Sequence, residues 1–437
     1  MNFLIYTPQI THRVRYIFEF MFGELMGIDT QFTSDVDDFI SWHGKKLNYS
    51  KRPIAEELFI QSSNLLFQKG IQQLTPDITF YNGYKTPFPV IHEKSLLPFD
   101  VFAAAFYLIT RYEEYLPFRP DAHGRFAARE SMAYKNAFLK KPVINYWALD
   151  LERLLCEHYT DLGCRHRKYK VIHTYDIDIA YCYKHKGFLR NLGGFLRDIY
   201  YKDIEEVGQR ARILFGRDKD PYDTYEWQKK LDVWPELEFI YFFLISDYGP
   251  YDKNISHESF YYQRLIQTIS DEYVIGIHPS YASDSDINLM RKEIGLLSDI
   301  TKRDILRSRQ HYLKLRFPST YQHLLECGIN KDYTMGYADE IGFRASVASS
   351  FWFYDLCQEN KTRLRIYPFY IMDVTLQHYM QLAPQEAIHC SDRIIDEVKS
   401  VNGLMITLWH NHSLSEHKEW KNWRAVYEHI VGKCNEP

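Results

Sequence analysis

From about residue 166 onward the chain alternates short apolar runs with stretches of helical spacing, and this alternation restricts the fold more than any other feature. The runs are Tyr169–Tyr175, Leu237–Ile245, Tyr273–Ile277, Ser308–Leu315, Tyr333–Met335, Leu364–Met372 and Leu404–Trp409. Most are separated by amphipathic patterns such as Tyr262, Leu265, Ile266 and Ile269, or Met290, Ile294 and Leu297. Repeated strand–helix units predict a parallel sheet. Seven of them in about 270 residues suit a closed or nearly closed α/β barrel. Residues 181–234 interrupt the rhythm with a Lys- and Arg-rich stretch of helical spacing, which then turns to Pro221-Tyr222-Asp223. They read as a helical insertion after the first barrel strand, at the mouth of the barrel, serving as a lid or a docking surface.

Residues 1–165 mix short strands and helices with no clear βα rhythm and are expected to form a smaller α/β domain ahead of a second one at 166–437. Asn2–Tyr6 predicts a strand and Val14–Phe22 an amphipathic helix. Phe99–Tyr115 predicts a helix capped by Asp100, with Leu116-Pro117 just past its end. Arg111, Glu113 and Glu114 near that end read as a solvated or paired face.

The net charge of −4 gives no reason to expect a nucleic-acid partner. No stretch approaches about 18 apolar residues, so no membrane span is expected. Seven scattered cysteines without a C-x-x-C pair, and a start lacking a leader pattern, predict a reduced, cytoplasmic protein. Aromatic residues make up 16% of the chain, a supply that suits a ring-lined groove for sugars as well as a large core. The signatures of P-loop NTPases, simple dinucleotide-binding folds, serine hydrolases and zincins are all missing from the sequence.

Polar, reactive side chains recur at the ends of the apolar runs. Asp176 and Asp178 follow the first run, Asp247 the second and His278 the third. Arg309 and His311 lie on the fourth, Arg344 follows the fifth, Asp373 ends the sixth and His410 the seventh. In a parallel barrel these ends share one face, where catalytic groups collect. Period-two alternation also puts Asp176 and Asp178 on the same side of their strand. Two neighbouring anions repel unless a cation separates their roles. A divalent metal on one carboxylate, with the other left as general base, resolves the conflict. The competing reading has Asp178 capping a helix and Asp176 paired with an arginine. His410-Asn411-His412 is a further, weaker hint of metal binding.

His173-Thr174-Tyr175-Asp176-Ile177-Asp178 resembles the first motif of the polysaccharide deacetylases, carbohydrate esterase family four, in its T-x-D-x-D form. Gly276-Ile277-His278-Pro279-Ser280-Tyr281 sits where that family has an H-x-x-x-H metal motif. Gly342-Phe343-Arg344 resembles its later arginine motif, and Ile406-Thr407-Leu408-Trp409-His410 its final leucine–histidine motif. The resemblance spans residues 166–437. The region ahead of it, with Leu97-Pro98-Phe99-Asp100 and Arg111-Tyr112-Glu113-Glu114-Tyr115, resembles an uncharacterised domain that precedes such modules in Bacteroidetes-type proteins.

The resemblance implies a distorted (β/α)7 barrel and metal-dependent removal of an acetyl group from an N-acetylated sugar or glycan precursor, by hydrolysis of a carbon–nitrogen bond other than a peptide bond. It implies Asp176 as base, Asp178 and His278 as ligands of a metal, commonly zinc, and His410 as the acid that protonates the leaving amine. Arg344 or Arg309 would hold Asp176 ionised. Asp247, Tyr281, Asp373 and Trp409 are the expected sugar-contacting groups. One position departs from the pattern: the family's second metal histidine falls at Ala282, whose methyl group cannot ligate. Zinc sites of this kind need three protein ligands. His311 is the expected substitute, with a water as the weaker alternative. Failing both, the chain is expected to be a catalytically degenerate barrel that binds or assembles carbohydrate.

Overall fold

Phe3–Tyr6 (β1) is apolar and fully buried, as a strand covered on both faces requires. The computed structural model describes residues 3–165, 167–232 and 237–436. Asn2, the expected boundary residue 166 and the insertion's last expected residues, 233 and 234, lie outside the described residues. β1 pairs in parallel with Thr30–Thr33 (β2) and with Lys46–Ser50 (β3), which in turn pairs with Phe59–Gln61 (β4). The resulting order β2-β1-β3-β4 is a small parallel sheet with the βα rhythm that the sequence had hidden. The strands are only three to five residues long. The helix His12–Phe18, moreover, widens into a π-helical stretch over Glu19–Met26, which breaks the 3.6-residue spacing. A small antiparallel hairpin, Ile78–Tyr81 (β5) with Tyr84–Pro87 (β6), follows.

The expected helix at 99–115 is shorter. It spans Val101–Ile109, every residue buried, with the Asp100 carboxylate accepting from the Ala103 N–H at 3.0 Å. It stops because Arg111 takes a left-handed backbone, φ 55°, and a single 3₁₀ turn, Tyr112–Tyr115, replaces its last stretch.

The second sheet contains nine strands. They are Lys170–Ile177 (β7), Glu238–Leu244 (β8), Val274–His278 (β9), Arg307–Ser308 (β10), Lys331–Asp332 (β11), Phe351–Asp355 (β12), Asn360–Ile366 (β13), Ile371–Met372 (β14) and Leu404–His410 (β15). Their order is β12-β13-β11-β10-β9-β8-β7-β15-β14. All pairings are parallel except β12 with β13.

β12 and β14 form the two edges and do not pair, so the expected barrel is not closed. Two causes are visible. The run Ser308–Leu315 is strand only at Ser308, and the run Tyr333–Met335 lies just past the two-residue strand Lys331–Asp332, so both members are too short for a continuous ladder. The run Leu364–Met372 is split between β13 and β14, and β13 folds back against β12 instead of carrying the parallel sheet forward. Helices Phe260–Glu272, Ile287–Thr301, Ser319–Glu326 and Pro384–Ser400 link successive strands of the parallel part, and Trp423–Asn435 follows β15. Three helices, Phe188–Tyr200, Ile204–Leu214 and Tyr225–Lys229, stand between β7 and β8.

One hydrophobic cluster runs through both sheets without interruption. A buried charge network crosses between them as well. Arg344 donates to the Glu114 carboxylate from Nε and Nη2, at 3.0 and 2.5 Å. Arg111 donates to the same Glu114 at 2.8 Å and to Glu113 at 2.8 Å. Burial alone would raise the Glu114 carboxyl, but the two guanidiniums outweigh it and hold it below the ordinary carboxylate range. Arg344 is therefore engaged in joining the two sheets, which corrects its expected place beside Asp176. Removing one partner of such a pair leaves a buried charge uncompensated. Glu114→Ala is expected to destabilise the fold by about 3–5 kcal/mol in chemical denaturation, with the structure around Asp176 unchanged in the molecules that remain folded.

Candidate metal centre

Parallel register brings the reactive residues together. Asp176 on β7 stands level with His410 on β15 and with Phe242 on β8. His278 closes β9 opposite Leu244. Ser308 on β10 is level with Ile277, so Arg309 and His311 emerge beside His278. Side chains from three other strand ends thus converge on Asp178, which directly follows β7.

Asp178 is the centre of the cluster. Its Oδ1 lies 3.2 Å from His278 Nε2, and its Oδ2 lies 3.5 Å from both His311 Nε2 and His410 Nε2. Burial would raise the Asp178 carboxyl, but the charges of His311 and His410 and hydrogen bonds from His278 and His311 hold it well below the usual range. Burial likewise opposes charge on both histidines, yet the carboxylates of Asp178 and Asp252 push His311 up to about 9. Asp373 and Asp178 push His410 up to about 10. Burial and the neighbouring His410 charge push His412 down to about 4.

Asp176 is held differently. Its Oδ1 accepts from Arg309 Nη1 at 2.9 Å, and its Oδ2 faces His278 Nε2 at 3.7 Å. The same Arg309 nitrogen donates to Thr174 at 2.7 Å, which fixes the guanidinium in the floor of the site.

The donor set fits a divalent metal. One ligand atom each from Asp178, His278 and His311 lies within 4.8 Å of the other two. Asp178 Oδ1 is buried and accepts no well-aligned hydrogen bond. Ligand atoms about 2.0–2.1 Å from a tetrahedral zinc stand about 3.3–3.4 Å apart, and the Asp178 oxygens lie 3.2 Å from His278 Nε2 and 3.5 Å from His311 Nε2. The outer nitrogens of both rings are engaged: His278 Nδ1 with the Arg309 carbonyl, and His311 Nδ1 with Asp252 Oδ1 at 2.7 Å. Such partners fix the tautomer that leaves the inner nitrogen free to ligate. Ala282 lies exposed in a turn after β9, away from this cluster. His311 arrives instead, from a 3₁₀ turn that follows β10 and not from a strand.

A cavity of about 280 Å³ opens over these groups. Its wall includes Arg125 from the N-terminal region, which donates to the Tyr312 carbonyl at 2.7 Å and the Tyr379 hydroxyl at 2.9 Å. Tyr251 and Tyr312 also line it, and both pack against the His123 ring.

A model for a family of unknown function, DUF7033, matches residues 3–160. No curated protein sequence matches the chain. Among solved structures, a protein assigned as a polysaccharide deacetylase from Mycobacterium smegmatis is 12% identical, with a TM-score of 0.39 over 62% of this chain and 85% of that one. A polysaccharide deacetylase from Bacillus cereus gives 11%, 0.30, 61% and 87%. A CE4 family pseudoenzyme from Bacillus anthracis gives 12%, 0.27, 60% and 62%.

The four expected sugar-contacting residues fall elsewhere or act otherwise. Asp247 is exposed, near His257 and Lys292, and does not line the cavity. Trp409 is one residue from His410, so alternation turns it to the opposite face, buried against Trp423 and Tyr427. Asp373 is fully buried and accepts from His410 Nδ1 at 2.8 Å and His410 N at 2.7 Å, so it positions that ring and is closed to ligand. Tyr281 lies in the rim cluster, stacked on Tyr251 at 4.0 Å between ring centres, without lining the cavity itself.

Asp252 and Arg125 had escaped the sequence reading. Asp252 sits in the loop after β8, five residues beyond Asp247, where no periodicity separates the two carboxylates. Asp252→Asn is expected to lower zinc affinity by about 10- to 100-fold in calorimetric titration, and His311→Ala by at least as much. Ala282→His is expected to leave the affinity unchanged.

Proposed function

We propose that this chain is a metal-dependent hydrolase that removes the acetyl group from an N-acetylated sugar. The observation that carries the reading is the position of His311 beside Asp178 and His278, where it would supply the third ligand that Ala282 cannot. The sequence motifs around Asp176, His278 and His410 support it independently.

The ion's ligands need roles separate from those of Asp176 and His410, and the geometry favours that division. Asp178, His278 and His311 would hold the ion, zinc by its mixed oxygen and imidazole donors. When bound, it supplies Lewis-acid polarisation of the acetyl carbonyl and activation of water. Asp176, oriented by the hydrogen bond from Arg309, takes a proton from the attacking water. His410, charged and fixed through Nδ1 by Asp373, presents Nε2–H toward the cavity. As the carbon–nitrogen bond breaks, that proton passes to the departing amine, and acetate and the free amino sugar result. Arg125 and the Tyr251–Tyr312 rings offer a cationic and aromatic wall suited to a sugar's hydroxyls and its apolar face.

The test is acetate release from N-acetylated amino sugars by zinc-loaded protein. Asp176→Asn is expected to lower kcat by about 10²–10⁴ with the zinc content unchanged, and His410→Ala to act on kcat to a similar degree. Failure of the loaded protein to release acetate from any N-acetylated sugar overturns the reading.

A further inference from the structure

The insertion between β7 and β8 carries a surface that the metal centre does not use. In the helix Phe188–Tyr200, the side chains Phe188, Leu189, Leu192, Leu196, Ile199 and Tyr200 are all exposed, Phe188 at 77% and Leu189 at 80%. At about 100° per residue these six fall within one arc of about 120°. The opposite face is polar yet covered. Its Asp198 is buried and accepts from Arg210 of the helix Ile204–Leu214 at 2.6 Å. A helix that serves only its own fold buries the apolar stripe and shows water the polar one. Here the arrangement is reversed. Ile204 and Phe215, at either end of the second helix, are also exposed, at 72% and 83%.

The insertion around the stripe is net basic: residues 184–217 hold eight Lys and Arg against the four acids Asp198, Asp203, Glu205 and Glu206. Between residues 184 and 202 stand Lys184, Lys186, Arg190, Arg197 and Lys202, with Asp198 the single acid and already paired, in a chain of net charge −4. By the same spacing Arg190 is turned to the far side, where it donates to the Asn254 and Lys253 carbonyls, while Arg197, exposed and paired with Asp198, lies about 60° past the arc's edge; exposed Tyr201 and Lys202 close its end. Among the described cavities none is lined by a residue of the stripe, so the helix offers a ridge and not a pocket.

We propose that this helical hairpin seats the protein on an anionic lipid bilayer. The stripe enters the boundary between headgroups and acyl chains, and the exposed Arg197 and Lys202 beside it meet the phosphates. An apolar ridge with a basic border matches a planar, negatively charged surface, and exposed apolar patches of this kind mark interaction sites. The proposal stands whether or not the deacetylase reading does.

Co-sedimentation of the full chain with vesicles tests it. Binding is expected to vesicles of phosphatidylcholine mixed with phosphatidylglycerol, to weaken as salt is added, and to be much weaker with phosphatidylcholine alone. Arg197→Gln and Lys202→Gln are each expected to weaken it by about fivefold. Leu192→Ser with Leu196→Ser is expected to weaken it by at least about tenfold, with circular dichroism and zinc binding unchanged, because both side chains are exposed. Phe188→Trp is expected to shift its emission to the blue on vesicle addition. Absence of co-sedimentation, equal binding by the serine variant, or equal binding to both vesicle types overturns the proposal. So does a concentration-dependent dimer that Leu196→Glu abolishes, which would assign the stripe to a second copy of the chain.

Discussion

A buried carboxylate cannot stand alone in a protein interior, and the organisation of the larger sheet follows from how Asp178 is compensated. Three imidazoles approach it, from the ends of β9 and β15 and from the turn after β10. Two of these rings carry their own carboxylate behind them, Asp252 behind His311 and Asp373 behind His410. The result is an alternating array of negative and positive groups in which each charge is stabilised by the next. Asp176 lies at the edge of this array and is compensated separately by Arg309. That separation gives two aspartates two residues apart different electrostatic surroundings.

Register turns sequence into geometry at this site. In a parallel sheet the strand ends line up on one side, so a polar residue that closes an apolar run already has a predictable address. Asp176, Asp178, His278 and His410 were legible for that reason, and Arg309 and His311 because they follow the next strand in order. Partners that sit in irregular chain were not legible. Asp252 lies in a loop that no periodicity describes, and Arg125 comes from a region with no sequence link to the site. Arg344 follows a motif at the right point in the chain, yet burial against Glu114 decided its partner. Trp409 shows the limit of proximity: next to His410 in sequence, it faces the other way.

The same physics accounts for the fold. Long apolar runs such as β7, β8 and β15 announced themselves. Strands of two residues, β10, β11 and β14, did not, because their neighbouring residues are apolar without being paired. Closure of a barrel depends on those short members, and the sheet remains open where they fail to extend it. In the N-terminal region the π-helical turn at Glu19–Met26 masked a βα succession that ordinary helical spacing would have revealed.

The cavity wall at Arg125 has a consequence for how such chains diversify. Residues 121–125 are anchored to the turn bearing Tyr312 and to Tyr379, so changes in the N-terminal third reshape the opening above Asp178 without touching Asp178, His278 or His311. The space above Asp178 is thereby bounded in part by a stretch that lies outside the sheet altogether.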